Sequence, residues 1–166
     1  LELEKRLDRY GVDLQVWVYY HILDDRALTQ HAWGCGSPLI PAWQRYAVIA
    51  IYPVLRVLMR RAFRISDEQY GKSVERIEKL LAALDARLSD GRISILGDTS
   101  VNFTDITFAS LSALWLQPAE FAHGKADHVR VDLQRAPARM QAEVERWTSA
   151  YPSVTHFIEG LYARER

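Results

Sequence analysis

The chain has 166 residues, with 21 Lys and Arg against 21 Asp and Glu, 49% apolar residues and one cysteine. This length suits a single domain over residues 1–166, and the balanced charge argues against a nucleic-acid-binding protein, which needs a clustered basic excess. A lone cysteine excludes an internal disulfide and suits a reducing compartment, so with no secretion signal in its charged first residues we expect a cytoplasmic protein.

Apolar residues at helical spacing predict two helices at the start of the chain. The first is predicted over residues 2–23, where Gly11 marks a local bend or a close packing contact. The second is predicted to begin near Asp24 or Asp25, whose carboxylates suit the positive end of a helix, and to end at Trp33. A glycine-rich loop over 34–38 follows.

The most apolar stretch, residues 46–59, is predicted to be a core helix and not a membrane span. A span needs about 20 apolar residues, and arginines cut this run short. These are Arg45, Arg56, Arg60 and Arg61. The helix is predicted from Pro41, at its first position, to Phe63. Inside it, Pro53 should produce a kink because its ring meets the Ile49 carbonyl. No membrane partner is therefore expected.

Start signals predict further helices along the chain. Ser66 and Gln69 have the spacing of a capping box that opens a helix over 66–88. The short apolar link over 93–96 has no second strand to pair with, so the predicted class is all-α. Pro137 and Pro152 suit first-turn positions of helices over 137–147 and from 152 onward. Residues 121–134 are predicted to be a loop with one helical turn.

The segment from 96 to 111 combines a glycine turn with a helix start. Asn102 is placed to accept a hydrogen bond from the amide of Asp105, and the Asp105 carboxylate can reach back to the amide of Asn102. This reciprocal capping box is predicted to begin a helix that is apolar or small on all sides as far as Trp115. Such a helix is expected in the centre of a helical bundle.

This part of the chain resembles the C-terminal helical domain of the glutathione transferase superfamily. The resemblance depends on Leu-Gly-Asp at 96–98, on the capping pair of Asn102 and Asp105, and on a small-residue helix that follows a long amphipathic one. The resemblance is strongest over residues 66–116. In that family the stretch typically has the pattern Leu-x-Gly-Asp-x-x-Ser/Thr-x-Ala-Asp, and the cap and its acid are a folding device. This sequence departs from it with Asn102 in place of Ser or Thr and Thr104 in place of Ala, but asparagine caps as well as serine.

The resemblance implies that this chain is either the helical, substrate-binding half of a glutathione transferase or a free-standing helical relative of that half. Family members bind glutathione mainly through a thioredoxin-like domain, which also supplies the catalytic residue, and this chain begins where the interdomain linker of the family ends. A thioredoxin-like partner domain and a homodimer are therefore expected. Glutathione is expected as co-substrate, with no tightly bound cofactor. The chain alone should be inactive, and its catalytic residue stays unassigned.

By the same resemblance, the helical domain contributes an apolar electrophile pocket, chiefly from its first helix. Spacings of three and four residues place a set of polar and aromatic side chains on one face of that helix. They are Tyr10, Asp13, Trp17, Tyr20 and His21. Rings with polar tips suit an apolar small molecule. The alternative is that these residues pack against another domain or subunit, and that the chain is a non-catalytic interaction module.

Other chemical sites have weaker signals. His31 and Cys35 are four residues apart, and His123 and His128 five, but neither pair continues into a third ligand at a zinc-like spacing. No metal is therefore expected. Cys35 is a candidate reactive thiol only if a helix end or an arginine lowers its pKa. No Gly-x-Ser-x-Gly elbow supports a serine hydrolase.

Overall fold

The computed structural model describes residues 2–37, 39–121 and 130–164, and over these ranges it contains helices and no strand. The α-helices are α1 (Glu2–Ile22), α2 (Arg26–Ala32), α3 (Ala42–Ala62), α4 (Asp67–Leu88), α5 (Phe103–Leu116), α6 (Ala138–Ala150) and α7 (Pro152–Arg164). A 3-10 turn at Leu133–Arg135 precedes α6. The predicted all-α class is confirmed. The predicted loops lie partly outside the described residues, at position 38 and over 122–129.

Side-chain caps fix the starts of α2 and α4. The Asp25 carboxylate accepts a hydrogen bond from the amide of Leu28 at 2.9 Å, and the Ser66 hydroxyl accepts one from the amide of Gln69 at 3.2 Å. Each cap satisfies one of the amides that a helix start leaves without an intrahelical partner. The starts predicted at Asp25 and Ser66 are therefore confirmed.

Prolines mark three helix starts, but only one occupies the predicted first-turn position. Pro152 is the first residue of α7. Pro41 and Pro137 lie one position earlier, as the N-caps of α3 and α6, because their ψ angles of 141° and 139° are extended. The prediction that Pro41 is the first helical residue is wrong by one position.

The core lies where α1 packs against α4 and α5, with α6 and α7 closing the bundle. The completely buried large side chains include Leu14, Trp17, Ile77, Leu81, Phe108, Trp115, Met140, Trp147 and Ile158. Gly11 lies at the crossing of α1 and α5. A Cβ atom there would be 3.2 Å from Leu111 Cδ2, tighter than most packed contacts. Of the two roles predicted for this glycine, the structure shows the close packing contact.

The capping box at the start of α5 has both predicted hydrogen bonds. Asn102 Oδ1 accepts from the amide of Asp105 at 3.2 Å, and Asp105 Oδ2 accepts from the amide of Asn102 at 2.9 Å. The prediction that α5 is a central, buried helix is wrong for one of its faces, because only the face toward α1, α6 and α7 is covered. Phe103 and Ile106, on its other face, are 80% and 51% exposed.

The prediction that the most apolar helix lies in the core is also wrong. Tyr52 is the single buried residue of α3, and the hydrophobic core contains no residue from this helix. Polar contacts attach it instead: the Tyr52 hydroxyl donates to the Leu23 carbonyl at 2.6 Å, and both Arg56 and Arg60 form ion pairs with Asp24. None of the described helices combines the length and apolar character needed to cross a bilayer.

Pro53 lies inside α3 and leaves one carbonyl without its helical partner, as predicted. That carbonyl belongs to Ile49, and it accepts a hydrogen bond from Arg26 Nη2 at 2.7 Å. The arginine of α2 therefore replaces the missing amide donor and ties α3 to the rest of the chain. The kink at Pro53 stays a prediction.

Candidate functional site

The face of α1 predicted to line a pocket divides into three environments. Trp17, Tyr20 and His21 come together at the C-terminal end of α1, beside the starts of α4 and α6. Asp13 contacts the middle of α4, and Tyr10 lies in the core against α5. Four of the five predicted residues are buried, and only Tyr20 is partly exposed. As the wall of a ligand pocket, this face stays a prediction.

A buried carboxylate organises the end of α1. Glu143, on α6, accepts a hydrogen bond from Trp17 Nε1 at 2.6 Å and another from the hydroxyl of Tyr70 on α4. His21 Nε2 lies 3.0 Å from the same carboxylate and donates to it when that nitrogen is protonated. Three side chains from two other helices therefore converge on one acceptor. We call the group of Glu143, Trp17, Tyr20, His21, Tyr70 and Arg139 the Glu143 cluster.

Aromatic stacking forms the outer layer of the Glu143 cluster. The rings of Tyr20 and Tyr70 stack with centroids 3.9 Å apart, and the Tyr20 hydroxyl donates to Asp67 at 2.7 Å. The guanidinium of Arg139 lies 4.5 Å from the centroid of the Tyr70 ring, and its Nε is 3.6 Å from a Glu143 oxygen. Tyr20 and Arg139 are therefore the members that solvent can reach.

The charge states of Glu143 and Tyr70 are fixed at neutral pH. Burial raises the pKa of the Glu143 carboxyl, but hydrogen bonds from His21, Tyr70 and Trp17 outweigh it and bring that pKa to about 2. Burial and the neighbouring carboxylate raise the pKa of the Tyr70 phenol well above its ordinary value. The carboxylate therefore stays ionised and the phenol protonated, so this arrangement is suited to holding helices and rings and not to proton transfer.

Asp13 forms a second buried charge site between α1 and α4. Its oxygens accept from the Ser73 hydroxyl at 2.8 Å and from two nitrogens of Arg76 at 2.6 and 2.8 Å. Arg9 Nε also lies 3.4 Å from Asp13 Oδ2. A groove of about 310 Å³ opens beside this site, lined by Arg6, Arg9, Tyr10, Asp13, Arg76, Lys79 and Leu80. Because Asp13 is fully used by its partners, its role here is to join the two helices.

Tyr10 is a core anchor. Its hydroxyl lies 2.9 Å from the Ser112 hydroxyl and accepts from Trp115 Nε1 at 2.9 Å, and both partners are on α5. Burial raises the pKa of the phenol well above its ordinary value. Tyr10 therefore fastens α1 to α5 as a neutral side chain.

An apolar cavity that the sequence did not indicate lies on another face of α1. Its lining comes from α1, α2 with its C-cap, and α5, and consists of Gln15, Val18, Tyr19, Ile22, Ala32, Trp33 and Leu114. Its volume of about 170 Å³ is below the roughly 300 Å³ at which ligand pockets usually begin. Val18 and Ile22 of this lining are among the apolar residues at helical spacing that predict α1.

The main residue that the sequence analysis missed is Glu143. It lies between Met140 and Trp147 on the buried face of α6, and spacings of three and four residues put all three on one side of that helix. A glutamate within such an apolar stripe is the signal that could have identified it. Tyr70, on α4, is not among the predicted site residues either.

The weaker candidates gain no support from the geometry. Cys35 is buried, and His31 Nε2 is 2.6 Å from the carbonyl of Arg130. Within the described ranges, no three His, Cys, Asp or Glu side chains come together as metal ligands. His123 and His128 lie outside the described residues.

Comparison with known proteins leaves the chain without an assigned family. No protein-family model, no curated protein and no solved structure matches it. Two features of the structure bear on function. One is the capping box that begins α5, and the other is the partly exposed ring of Tyr20 above the Glu143 cluster.

Proposed function

We propose that this chain is the helical substrate-binding half of a glutathione transferase-like protein. The capping box at the start of α5 carries the proposal, because Asn102 and Asp105 make the reciprocal pair that the Leu-Gly-Asp signature led us to expect. The helix it begins packs against α1 and α7 and follows the long amphipathic α4, in the order that the resemblance implies.

The proposal assigns separate tasks to two domains. A thioredoxin-like partner domain would bind glutathione, the co-substrate, and activate its thiol. This chain would bind the apolar electrophile, within a cytoplasmic homodimer. In the Glu143 cluster the carboxylate of Glu143 is engaged by Trp17, His21 and Tyr70, and the Tyr70 phenol is protonated at neutral pH, so neither group is proposed as a nucleophile. The chain alone is therefore proposed to be inactive.

Tyr20 is the residue through which this chain would contact an aromatic electrophile. Its ring is partly exposed, while one side of it is already stacked on Tyr70. The hydrogen bond to Asp67 and the guanidinium of Arg139, 5.6 Å from the ring centroid, hold it in place. A planar electrophile could extend this stack without disturbing the buried part of the cluster.

We expect Tyr20→Ala in the natural full-length protein to raise the KM for an aryl halide about three- to tenfold, because one aromatic contact is lost. The KM for glutathione should not change. Initial rates with each substrate varied in turn measure both values. Tyr19→Ala is the matched control, since Tyr19 is the neighbouring partly exposed tyrosine but packs on Phe63. An unchanged KM for the aryl halide in Tyr20→Ala would remove Tyr20 from the pocket.

A non-catalytic interaction module is the second candidate. The observation that favours it is that Tyr10, Asp13, Trp17 and His21 are buried and bonded within the chain, so they offer little to a substrate. The full-length protein would then form a stable oligomer and conjugate glutathione to none of a panel of aryl halides, epoxides and enones. Conjugation of any of these would decide for the transferase.

A further inference from the structure

Positive charge is concentrated in one continuous part of the chain. Residues 26–66 contain six arginines and no Asp, Glu or Lys: Arg26, Arg45, Arg56, Arg60, Arg61 and Arg64. Because the whole chain is balanced, the remainder carries a formal net charge of −6. The protein therefore has a basic region centred on α3, although its overall charge is zero.

The same helix presents an apolar surface to solvent. We define the outer face of α3 as Trp43, Tyr46, Ala47, Ala50, Val54, Val57 and Leu58. Separations of three, four and seven residues place them on the side opposite Tyr52, the residue that is buried. Trp43 is 70% exposed, Tyr46 62%, Val54 61% and Leu58 54%.

Contacts on the opposite side hold α3 in place without using its outer face. Tyr52, Arg56 and Arg60 reach the turn after α1, and Arg26 reaches the Ile49 carbonyl. No residue of α3 belongs to the hydrophobic core. The apolar side chains of the outer face are therefore available to a partner while the helix stays attached.

We propose that the outer face of α3 binds the surface of an anionic lipid bilayer, with the helix lying in the plane of the interface. An apolar face combined with basic side chains is typical of interfacial helices, and every charged residue of α3 is an arginine. Trp43 and Tyr46 are side-chain types that favour the headgroup level. Arginines near the face, such as Arg61, can keep their charge in the headgroup layer while their stems cover apolar surface.

Charge decides between a lipid surface and a second copy of the chain. Arg56 and Arg60 are paired with Asp24, so Arg45 and Arg61 carry the charge of α3 that is left for a partner. Two outer faces in contact would bring these charges of two copies together, and like charges oppose such a contact, whereas an anionic bilayer attracts them. The earlier expectation of no membrane partner concerned a transmembrane span, and binding to a bilayer surface is a different mode. This inference is independent of the proposed transferase function.

Flotation with lipid vesicles tests the proposal on the full chain. We expect binding to vesicles of phosphatidylcholine containing about one third phosphatidylglycerol, weaker binding to phosphatidylcholine alone, and weaker binding at about 0.5 M than at about 0.1 M salt. The double variant Trp43→Ser, Val54→Ser should lower the partition coefficient about tenfold or more, because it removes exposed apolar area. Arg45→Gln with Arg61→Gln should lower it about tenfold on anionic vesicles only.

Phe103→Ser provides the matched control. Phe103 is 80% exposed, but α5 carries no arginine or lysine. Loss of the Phe103 ring should therefore leave vesicle binding unchanged. Circular dichroism of each variant serves to check that its helices are kept. Absence of binding to anionic vesicles, or equal binding by the double variant, would overturn the proposal. A lipid-free dimer that Trp43→Ser dissociates in sedimentation velocity would assign the outer face to a second copy and would also overturn it.

Discussion

Replacing Glu143 by alanine should lower the free energy of unfolding by about 3–5 kcal/mol, because buried polar partners would lose their acceptor. Trp17 Nε1, the Tyr70 hydroxyl and His21 Nε2 all point at this one carboxylate. No other carboxylate is bonded to any of these three atoms in the described part of the chain. Urea unfolding followed by tryptophan fluorescence measures the change directly, since Trp17 is in the cluster.

A neighbouring glutamate separates this effect from a general effect on α6. Glu145 is on the same helix and is exposed, so Glu145→Ala should change the unfolding free energy by no more than about 0.5 kcal/mol. Glu143→Gln keeps one acceptor oxygen and should lie between the two. A loss of under about 1 kcal/mol in Glu143→Ala would contradict the view that this carboxylate holds α1, α4 and α6 together.

The same carboxylate should make stability depend on acidic pH. The pKa of Glu143 is about 2 in the folded protein, against an ordinary value of 4.5. Because folding lowers this pKa, the stabilisation is complete above about pH 4.5 and is lost as the pH falls toward 2. Urea midpoints measured across this window should fall more steeply for the wild type than for Glu143→Gln, which has no carboxyl to protonate.

Helix starts could be predicted from the sequence because a cap is a local device. Asp25, Ser66 and Asn102 each bond to an amide two or three residues ahead, so the residues that make the contact are also neighbours in the sequence. The burial of α3 could not be predicted in this way. Its composition is apolar on nearly all sides, and only the tertiary arrangement determines that Tyr52 faces inward while Trp43 faces solvent.

In the candidate site, too, contacts within one helix could be predicted from the sequence, whereas contacts between residues far apart in the chain could not. Helical spacing correctly placed Trp17 and His21 close together on α1, because that depends on one helix alone. Their shared partner, Glu143, is 126 residues from Trp17 in the chain. Spacing cannot indicate what lies opposite a helix face, and in the structure most of this face contacts side chains of α4 and α6. Its role as a pocket wall stays a prediction.

Within the capping box, the Asp105 side chain should contribute more to stability than the Asn102 side chain. Asp105 is completely buried and accepts from two amides, Asn102 N at 2.9 Å and Ile95 N at 2.8 Å. Asp105→Ala should therefore lower the free energy of unfolding by about 2–4 kcal/mol, since two amides lose their acceptor. Asn102→Ala removes the ordinary cap and should cost about 0.5–2 kcal/mol. Urea unfolding of both variants gives these values.

The bond to Ile95 makes the difference between the two variants informative. Asp105 joins the loop before α5 to the helix through the backbone amide of Ile95. Asn102 caps the first turn and also donates from Nδ2 to the side chains of Ser94 and Asp98. The double variant should lose less unfolding free energy than the sum of the losses in the two single variants, because the two residues share the hydrogen bonds of one capping box. Equal losses in the single variants would show that the Ile95 contact adds no more than the contacts of Asn102 with Ser94 and Asp98. Loss of activity in fully folded Asp105→Ala would instead assign this carboxylate a chemical role, which its burial between two amides argues against.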